Sequence, residues 1–449
     1  MNKITRQTHW EKFKGAIAPI FSGDLVSGIL MVASVIIALV WANSPWSDAF
    51  HEFWEYPLKI EFNEAQLSMT LHQFVNDGLM AIFFFTIGLE IKREIIAGEL
   101  SNLKKAMLPI LCAIGGIVFP ALIYVVLNYG DPTVTGWGIP MATDIVFALV
   151  LLTLVGSKKV PLALKVFVTA LAVVDDLFAV AVIAFFYTDQ IVLVSLLWAF
   201  VCFFILVGAN RIGVKNPIFY GVIGIVGIWT GFFLSGVHAT LAGVITAIAI
   251  PAKVELGENQ FAHNIRNLLD TFERTPSTGS VFVKKKHVEL VEIIRKAIRQ
   301  TVPPLQSIER VLQPFVNFIV LPLFAFANTG LTLKAEDIGR LGDPLSLGII
   351  LGLVVGKFAG ISLVARGAVA LKIAKLPKNV QWPQVYGAAA FAGIGFTMSI
   401  FISDLAFSEE AVVREAKLAI LVAFVLAVVL GTLIFKFFVK TKKGQDVKG

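Results

Sequence analysis

The sequence predicts an all-α protein that crosses a membrane twelve times, with two broken helices that cross at the midplane of the bilayer. Three observations predict this fold class. First, 57% of the residues are hydrophobic and 15% are charged, whereas a soluble domain has roughly 25% charged residues. Second, the apolar residues form runs of the length that spans a bilayer, about 20 residues. Third, the basic residues lie almost entirely in alternate loops.

The apolar runs predict the spans themselves and divide the chain into five parts. The predicted spans are 25–42, 74–91, 107–127, 134–155, 166–187, 191–209, 217–234, 236–251, 311–331, 345–364, 384–403 and 418–435. The parts are a cytoplasmic N-terminal segment 1–24, spans one to eight in 25–251, a cytoplasmic loop 252–310, spans nine to twelve in 311–435 and a basic tail 436–449.

The distribution of basic residues predicts the orientation. Of the 38 Lys and Arg residues, 32 fall in the loops on one side, five fall on the other side, and Lys357 lies inside a span. Basic loops stay in the cytoplasm, so both termini are expected there. The net charge of +7 therefore reflects the basic loops that set the orientation of the protein in the lipid membrane. The composition excludes a nucleic-acid binder, a disordered chain and a secreted disulfide scaffold.

Two connecting loops are long. In the outer loop 44–70, the segment NEAQLSMTLH is expected to form a short strand pair or a surface helix. In the inner loop 252–310, two sets of apolar residues repeat with helical spacing on either side of the stretch RTPSTGS. This pattern predicts two amphipathic helices. They are either a linker that lies on the membrane face or a regulatory or docking element.

Four charged residues lie deep within predicted spans: Asp144, Asp175, Asp176 and Lys357. Charges at this depth cost a few kcal/mol or more, so each marks a candidate functional site. Buried ion pairs that only hold helices together are the alternative. However, three carboxylates and one ammonium leave net negative charge, which favours binding of a cation or a proton.

Asp175 and Asp176 are adjacent on the fifth predicted span, in VTALAVVDDLFAVAVIAFF. Adjacent helical residues point about 100° apart, so the two carboxylates cannot serve one site symmetrically. Carboxylate oxygens suit hard cations. A carboxylate away from water binds either a proton or a cation, and this competition is sufficient chemistry for exchange transport.

The fourth and eleventh spans contain helix-breaking residues. Gly138 and Pro140 precede Asp144, so that helix is expected to break near residues 141–143. Gly393 and Gly395 weaken the eleventh span in AAAFAGIGFTMSIF, where Thr and Ser hydroxyls can satisfy freed backbone groups.

The positions of the two breaks make spans 3–5 and 10–12 candidate inverted-topology repeats. The opposed half-helices need counter-charges. Asp144 is expected near two helix N-termini and Lys357 near two C-termini.

The tenth span carries glycines at every fourth position, which allow close helix packing. They are Gly348, Gly352, Gly356 and Gly360. This packing would hold Lys357 against a partner, and an aspartate of the fifth span is the candidate.

Further charged and titratable residues lie at the ends of the spans. Asp77, at the outer end of the second span, is a candidate for the cation path. At the inner end, Glu90, Arg93 and Glu94 are either a solvated rim or an interacting cluster at a funnel mouth that titrates with pH. His238 is either a structural hydrogen bonder or a group that titrates near neutral pH.

The residues of several spans resemble the NhaA family of bacterial sodium/proton antiporters. The segments that carry the resemblance are NDGLMAIFFFTIGLEIKRE, ATDIVFALVLL, ALAVVDDLFAVAVIAFFY, SGVHATLAGV, LPLFAFANTG and AGIGFTMSIFI. The similarity covers about residues 20 to 437, except the loop 252–310. It implies the inverted-repeat fold with two broken helices.

The resemblance also implies roles at the centre of the protein. Asp175 and Asp176 match the ion-binding pair, with Asp176 as the direct ligand of the transported Na+ or Li+. Asp175 matches the carboxylate that pairs with Lys357. Thr143 and Asp144 match residues at the crossing of the broken helices. No cofactor is implied, because the ions are substrates.

At the periphery, the resemblance implies regulation and assembly. Glu90, Arg93, Glu94 and Glu309 match a pH-sensing cluster, and His238 matches a histidine of the pH response. The family is homodimeric through the loop that corresponds to 44–70. The implied protein is an electrogenic exchanger of the bacterial cytoplasmic membrane that is active at alkaline pH.

Two other functions were weighed against a cation/proton antiporter. A Na+-coupled organic-anion symporter of the bile-acid type has a similar architecture, but an anionic substrate favours a neutral or positive pocket. An intramembrane aspartyl protease needs two facing aspartates, and the sequence contains no GxGD motif. The sequence therefore predicts a secondary active transporter and not an enzyme.

Overall fold

Helices form nearly the whole of the described protein. The computed structural model describes residues 23–62, 65–156, 158–188, 191–254, 256–275 and 285–439. In this part of the chain, ten helices are long and apolar enough to cross a membrane, or eleven if one bent pair counts as a single span. The predicted polytopic all-α fold is confirmed. Most of the predicted segment 1–24 and tail 436–449 lies outside the described residues.

The chain before the long inner loop forms helices α1 to α9 and a two-stranded sheet. The helices are α1 Gly23–Ala42, α2 Ser47–Glu55, α3 Leu71–Ile96, α4 Leu103–Leu127, α5 Ile145–Val155, α6 Leu162–Phe186, α7 Leu193–Ile212, α8 Pro217–Ser235 and α9 Leu241–Ala249. A 3₁₀ segment, Pro132–Met141, precedes α5.

The outer loop 44–70 contains both a helix and the predicted strand pair. Strand β1 (Pro57–Phe62) pairs antiparallel with β2 (Ala65–Thr70), and Pro57 lies opposite Thr70. Thr70 then caps α3, because its hydroxyl accepts a hydrogen bond from Gln73 N at 3.1 Å. The hairpin therefore leads directly into the second long helix.

The remaining chain forms helices α10 to α17. They are α10 Glu258–Arg274, α11 Lys285–Thr301, α12 Pro304–Thr329, α13 Ala335–Gly339, α14 Pro344–Ala370, α15 Trp382–Ala392, α16 Phe396–Ala406 and α17 Glu410–Phe437. Helices α10 and α11 are the predicted amphipathic pair of the inner loop. The rings of Phe272 and His287 pack edge to face between them, with centroids 4.3 Å apart.

Local sequence explains several helix ends. Asp131 accepts hydrogen bonds from the backbone N–H and the hydroxyl of Thr133, at 2.9 and 2.7 Å, at the start of the 3₁₀ segment. These bonds hold the pKa of Asp131 below its ordinary value. Gly213 ends α7 in the left-handed region, at φ +91°.

The eighth predicted span, 236–251, contains a much shorter helix than expected. Gly236 adopts φ +80°, and the following turn uses part of the apolar run before α9 begins. The nine residues of α9 extend only about 14 Å, whereas the hydrocarbon core is about 30 Å thick. Helix length therefore does not establish the predicted count of twelve spans.

The glycine face of α14 packs closely against α4 and the 3₁₀ segment, as the spacing predicts. A Cβ atom at Gly352 would lie 2.6 Å from Pro140, and one at Gly356 would lie 2.8 Å from Pro120. A Cβ atom at Gly360 would overlap the backbone carbonyl of Gly115. Only glycine allows the two helices to approach this closely, and the close packing fixes the position of Lys357 along the axis of the bundle.

Candidate ion-binding site

Two helices are interrupted in the centre of the bundle. Between the 3₁₀ segment and α5, residues 142–144 are extended and the axis bends by 43°. Between α15 and α16, residues 393–395 break the helix. Both breaks lie where the sequence predicts them. Gly138 and Pro140 belong to the 3₁₀ segment, and Gly393 and Gly395 bound the second break.

The two breaks satisfy each other's backbone groups. The backbone N–H of Asp144 donates to Ile394 O at 2.6 Å, and the hydroxyl of Thr143 donates to Ala392 O at 2.9 Å. The hydroxyl of Ser399 donates to Ile139 O at 2.7 Å. An interrupted helix exposes polar groups that must be satisfied inside the protein, and here the partner helix satisfies them.

Asp144 lies at the N-termini of α5 and α16. Its Oδ1 accepts from Phe147 N at 3.3 Å, and its Oδ2 accepts from the backbone N and the hydroxyl of Thr397, at 3.3 and 2.6 Å. The side chain is buried. A carboxylate in this place compensates the positive ends of two helix dipoles, as the sequence analysis expected.

Lys357 and Asp175 form an ion pair that is closed to solvent. The Lys357 Nζ lies 2.5 Å from Asp175 Oδ2, and the two residues are 0% and 2% exposed. The hydroxyl of Thr143 donates to the same oxygen at 2.7 Å. Among the described residues, Asp175 Oδ1 has no hydrogen-bond partner.

The place of Lys357 beside two helix C-termini stays a prediction; the carbonyl of Ala392, at the end of α15, shares the Thr143 hydroxyl with the carboxylate of Asp175. Among the described residues its ammonium hydrogen bonds only to Asp175. A full carboxylate charge attracts the ammonium more strongly than the partial charges of terminal carbonyls do.

Asp176 has a different environment from its neighbour. It is 5% exposed, and no side-chain hydrogen bond joins it to the part of the chain that the structure describes. It lines a cavity with Thr143, Asp144 and Thr397. The cavity offers about 10 Å³ to the centre of a water-sized sphere, which is close to the ~10–15 Å³ that holds one water.

The small cavity therefore accommodates one small ion or one water beside an unpartnered carboxylate. No group of three or more His, Cys, Asp or Glu side chains in the described ranges is arranged to hold a metal ion. A cation bound beside Asp176 would be transported substrate, with the carboxylate, hydroxyl and backbone oxygens as ligands.

At one end of the bundle, a single guanidinium joins three carboxylates, in the cluster that the sequence predicts. Arg93 lies 3.5 Å from Glu90 and 3.1 Å from Glu94, and it also pairs with Glu309. Glu309 belongs to α12 and the others to α3, so the cluster connects two helices. Neighbouring Lys92 instead donates to the last carbonyls of α9, at 2.5 and 2.6 Å.

A large cavity opens beside this cluster. Its volume is about 570 Å³, and its polar lining includes Glu94, Glu99, Lys165 and Thr169. Thr169 and Asp176 are seven residues apart on α6, which is about 10 Å along the helix axis. The cavity thus approaches the aspartate pair from the end where the Arg93 cluster lies.

His238 and Asp77 lie away from the central carboxylates. His238 hydrogen bonds through Nε2 to the backbone carbonyl of Tyr187, and the Tyr187 hydroxyl contacts Gly138 N at 3.3 Å. This chain of contacts connects the turn before α9 to the first interrupted helix. Asp77 lies on a π-helical stretch of α3, two helical turns before Phe84.

Sequence reasoning missed a group of buried charges at the other end of the bundle. It expected four deep charges, but the structure also buries Glu415 and Lys417 on α17, each 6% exposed. Lys417 pairs with Asp404 at 2.7 Å. The predicted twelfth span began at residue 418, whereas α17 begins at Glu410, so both residues were assigned to a loop.

Comparison with known proteins gives one consistent result. The family described as Na+/H+ antiporter 1 matches residues 19–435. The Na+/H+ antiporter NhaA of Oleidesulfovibrio alaskensis is 45% identical over 404 residues, which cover 90% of this chain and 89% of the relative. That of Sulfurimonas denitrificans is 42% identical over 97% of this chain and 98% of its own. The Psychromonas ingrahamii antiporter NhaA 1 is 44% identical, with 91% and 94% coverage.

Proposed function

The chain belongs to the Na+/H+ antiporter 1 family, and we propose that it is an electrogenic, pH-regulated antiporter that extrudes Na+ or Li+ in exchange for H+. Membership of this family supports sodium/proton exchange as the activity. The observation that carries the finer proposal is the unequal environment of two adjacent carboxylates. Asp175 is paired with Lys357, whereas Asp176 lines the cavity and has no hydrogen-bond partner within the described part of the chain.

Charge balance at the pair gives the exchange step. With a proton on Asp176 and the Lys357 ammonium paired to Asp175, the site is neutral. A sodium ion that binds between the two carboxylates replaces the Asp176 proton. It also replaces the ammonium as the partner of Asp175, so the lysine releases a proton. Two protons then leave for each sodium ion bound, and each cycle moves net charge.

Asp144 and Thr143 hold this geometry. Because Asp144 is engaged by two helix N-termini, it stabilises the crossing and leaves the ion to Asp175 and Asp176. The Thr143 hydroxyl lies within hydrogen-bond distance of both Asp175 Oδ2 and Ala392 O and has a single proton to donate, so a change at the carboxylate alters the contact with the second break. Alternating access then requires the crossing to move relative to the helices around it.

The orientation follows from the basic loops. With the termini in the cytoplasm, the Arg93 cluster and the 570 Å³ cavity face the cytoplasm. Sodium enters through this cavity and reaches Asp176 after its proton is lost. The protein acts in the bacterial cytoplasmic membrane, where extrusion of sodium draws on the inward proton gradient.

The Arg93 cluster supplies the pH regulation. Its three carboxylates lie on α3 and α12, which also approach the aspartate pair. Protonation of these carboxylates weakens the link between α3 and α12. The pH at which exchange is activated therefore follows from the protonation equilibrium of the cluster. His238, which connects to the first interrupted helix through Tyr187, contributes a second titratable contact. Asp77 contributes to the outer cation path.

The same proposal includes a homodimer that forms through residues 44–70. The β-hairpin has unpaired strand edges, which are available to a second copy. Removal of β1 and β2 is expected to yield monomers in cross-linking of native membranes. Retention of the dimer would contradict this assignment.

An organic-anion symporter is not favoured. The cavity beside Asp176 holds about one water-sized particle and is lined by carboxylates, so it lacks both the room and the charge for an organic anion.

The test is sodium-dependent fluorescence dequenching in everted membrane vesicles, with Na+, Li+ and K+ across the pH range. Replacement of Asp176 by Asn should abolish exchange while the protein stays folded. Asp131→Asn is the matched control, since Asp131 is exposed and Asn also caps helices. Retained exchange in the Asp176 variant would contradict the proposal.

A further inference from the structure

A second buried ion pair lies at the end of the bundle opposite the Arg93 cluster. Lys417, on the second turn of α17, approaches Asp404 Oδ1 to 2.7 Å with its ammonium, and its side chain is 8% exposed. Asp404 lies on the last turn of α16, the second half of an interrupted helix. Its other oxygen, Oδ2, is buried and has no hydrogen-bond partner among the described residues.

Amide side chains connect this pair to two further helices. Asn328 of α12 is 2% exposed, and its Oδ1 lies 3.5 Å from the Lys417 ammonium. The same oxygen lies 3.0 Å from His72 Nε2, and Asn328 Nδ2 donates to Asn76 Oδ1 at 2.8 Å. His72 and Asn76 belong to the first turns of α3. One polar group thus joins α3 and α12 to α16 and α17.

An aromatic layer separates this group from the ion-binding site. The ring of Phe401 on α16 lies 5.5 Å from the ring of Phe84 on α3 and 6.3 Å from that of Phe324 on α12. Each of the three is at most 1% exposed. On α16, Thr397 touches the site, Phe401 follows one turn later, and Asp404 lies about 10 Å from Thr397.

The two ends of the exchange path therefore differ in this conformation. The cytoplasmic end has a 570 Å³ cavity. At the other end, an ion that leaves the site must pass the aromatic layer and then the polar group between the same helices. Helices that only needed structural support would not require a buried ammonium beside two hydrogen-bonding amides and an imidazole.

We propose that Asp404 and Lys417, connected through Asn328 to Asn76 and His72, form an outer latch that closes the exchange path to the external side and separates in each transport cycle. This inference rests on the proposed function and adds its outer gate. When the path opens, the contact between Lys417 and Asn328 breaks, because these residues lie on helices that must move apart. Asp404 is then left on the wall of the open path.

A cysteine between the latch and the aromatic layer reports on its opening. Met80 lies on α3, one turn from Asn76 and one from Phe84, and is fully buried. Cys112 and Cys202 are the native cysteines, and alanine replaces both in the parent that carries Met80→Cys. The measurement is the rate at which a membrane-impermeant thiol reagent modifies this cysteine from the external side of intact cells.

In the latch variants, Lys417→Met and Asp404→Asn, we expect modification at least about tenfold faster than in the parent. Removing one partner of a buried pair destabilises the closed arrangement by well over the ~1.4 kcal/mol that corresponds to tenfold. Lys417→Arg keeps the charge and should restore slow modification. Asp337→Asn is the matched control, because Asp337 pairs with Arg414 at 3.5 Å on the same face without joining α3.

A structural role and a gating role give different results. Rates within about twofold of the parent in both latch variants would overturn the inference, whereas equal acceleration in Asp337→Asn would show a general loosening and would also overturn it. Internal sodium should accelerate modification of the parent and should have no effect when Asp176 is replaced by Asn. If internal sodium leaves the modification rate of the parent unchanged, the latch does not separate during transport and the inference is contradicted.

The exchange assay separates this inference from the proposed function. The parent is assayed by sodium-dependent dequenching in everted vesicles beside the modification assay. Absence of exchange in the parent contradicts the proposed function. Exchange in the parent together with unchanged modification in Lys417→Met and Asp404→Asn contradicts only the outer latch.

Discussion

Replacement of Lys357 by Met is expected to convert electrogenic exchange into electroneutral exchange. The Lys357 ammonium lies 2.5 Å from Asp175 in a site closed to solvent. Without it, an ionised Asp175 is an unpaired buried charge, which costs about 3–5 kcal/mol. Asp175 therefore keeps a proton throughout the cycle, and sodium binding releases only the proton of Asp176. Met fills much of the space of the lysine stem and limits the loss of packing.

The size of the effect follows from the charge moved per cycle. One elementary charge that crosses a potential of about 100 mV gains ~2.3 kcal/mol, which is roughly a 50-fold change in the equilibrium sodium ratio. The assay is the distribution of radioactive sodium across proteoliposomes at imposed potassium diffusion potentials and equal pH. The unaltered protein should show this dependence, and Lys357→Met should show a flat line.

Two further variants make the assay specific. Lys165 donates to Thr153 at 2.8 Å in the 570 Å³ cavity, so Lys165→Met should keep the full dependence. Lys357→Arg keeps the charge but cannot release a proton, so any exchange that it retains should also be independent of potential. A 50-fold response in folded Lys357→Met would refute the assignment of the second proton to Lys357.

Three other changes test separate parts of the structure. Thr397→Val removes a hydroxyl–carboxylate bond at the crossing, and a loss of about 1.5–3 kcal/mol in stability is expected, measured by thermal unfolding in detergent; an unchanged midpoint would count against a role of this bond. Arg93→Gln leaves Glu90 and Glu309 without the guanidinium they share, so these two carboxylates keep protons to higher pH, and half-activation of exchange should rise by about one pH unit; a fall or no shift would contradict the cluster's role. Gly360→Ala places a Cβ atom against the Gly115 carbonyl and should cost about 1–3 kcal/mol, whereas Gly367→Ala, with nothing within 4 Å, should not; equal thermal midpoints would contradict close packing at this face.

The breaks in the helices could be predicted because their causes are local. Pro140 and the glycines at 393 and 395 disfavour a continuous helix whatever surrounds them. The pairing of Lys357 with a carboxylate of the fifth span could also be predicted, since a buried ammonium needs an anion and two of the three deep carboxylates lie on that span.

The sequence could not show which of the two aspartates pairs with Lys357. In the structure Asp175 presents a full charge 2.5 Å from the ammonium. Sequence periodicity contains no information on which of two adjacent carboxylates faces this ammonium. Only the packing of α6 against α4 and α5 places Asp175 toward it and Asp176 toward the cavity.

The charges at the end of the bundle opposite the Arg93 cluster were missed because span boundaries follow hydropathy. Lys417 lies just before the apolar run that hydropathy selects, yet α17 begins seven residues earlier and buries it. The network around Lys417 also includes a helix that is distant in the sequence, because Asn328 is 89 residues away. Such a network depends on tertiary packing and has no local signature.

The number of protons released when sodium binds tests most directly whether sodium and protons exchange at the aspartate pair. Purified protein in weakly buffered detergent solution is mixed with Na+, and a pH indicator measures the protons released per ion bound. Because cation and protons compete for the same carboxylates, about two protons should be released by the unaltered protein, one by Lys357→Met and none by Asp176→Asn. Sodium binding without proton release, or release that persists in Asp176→Asn, would contradict exchange at the aspartate pair.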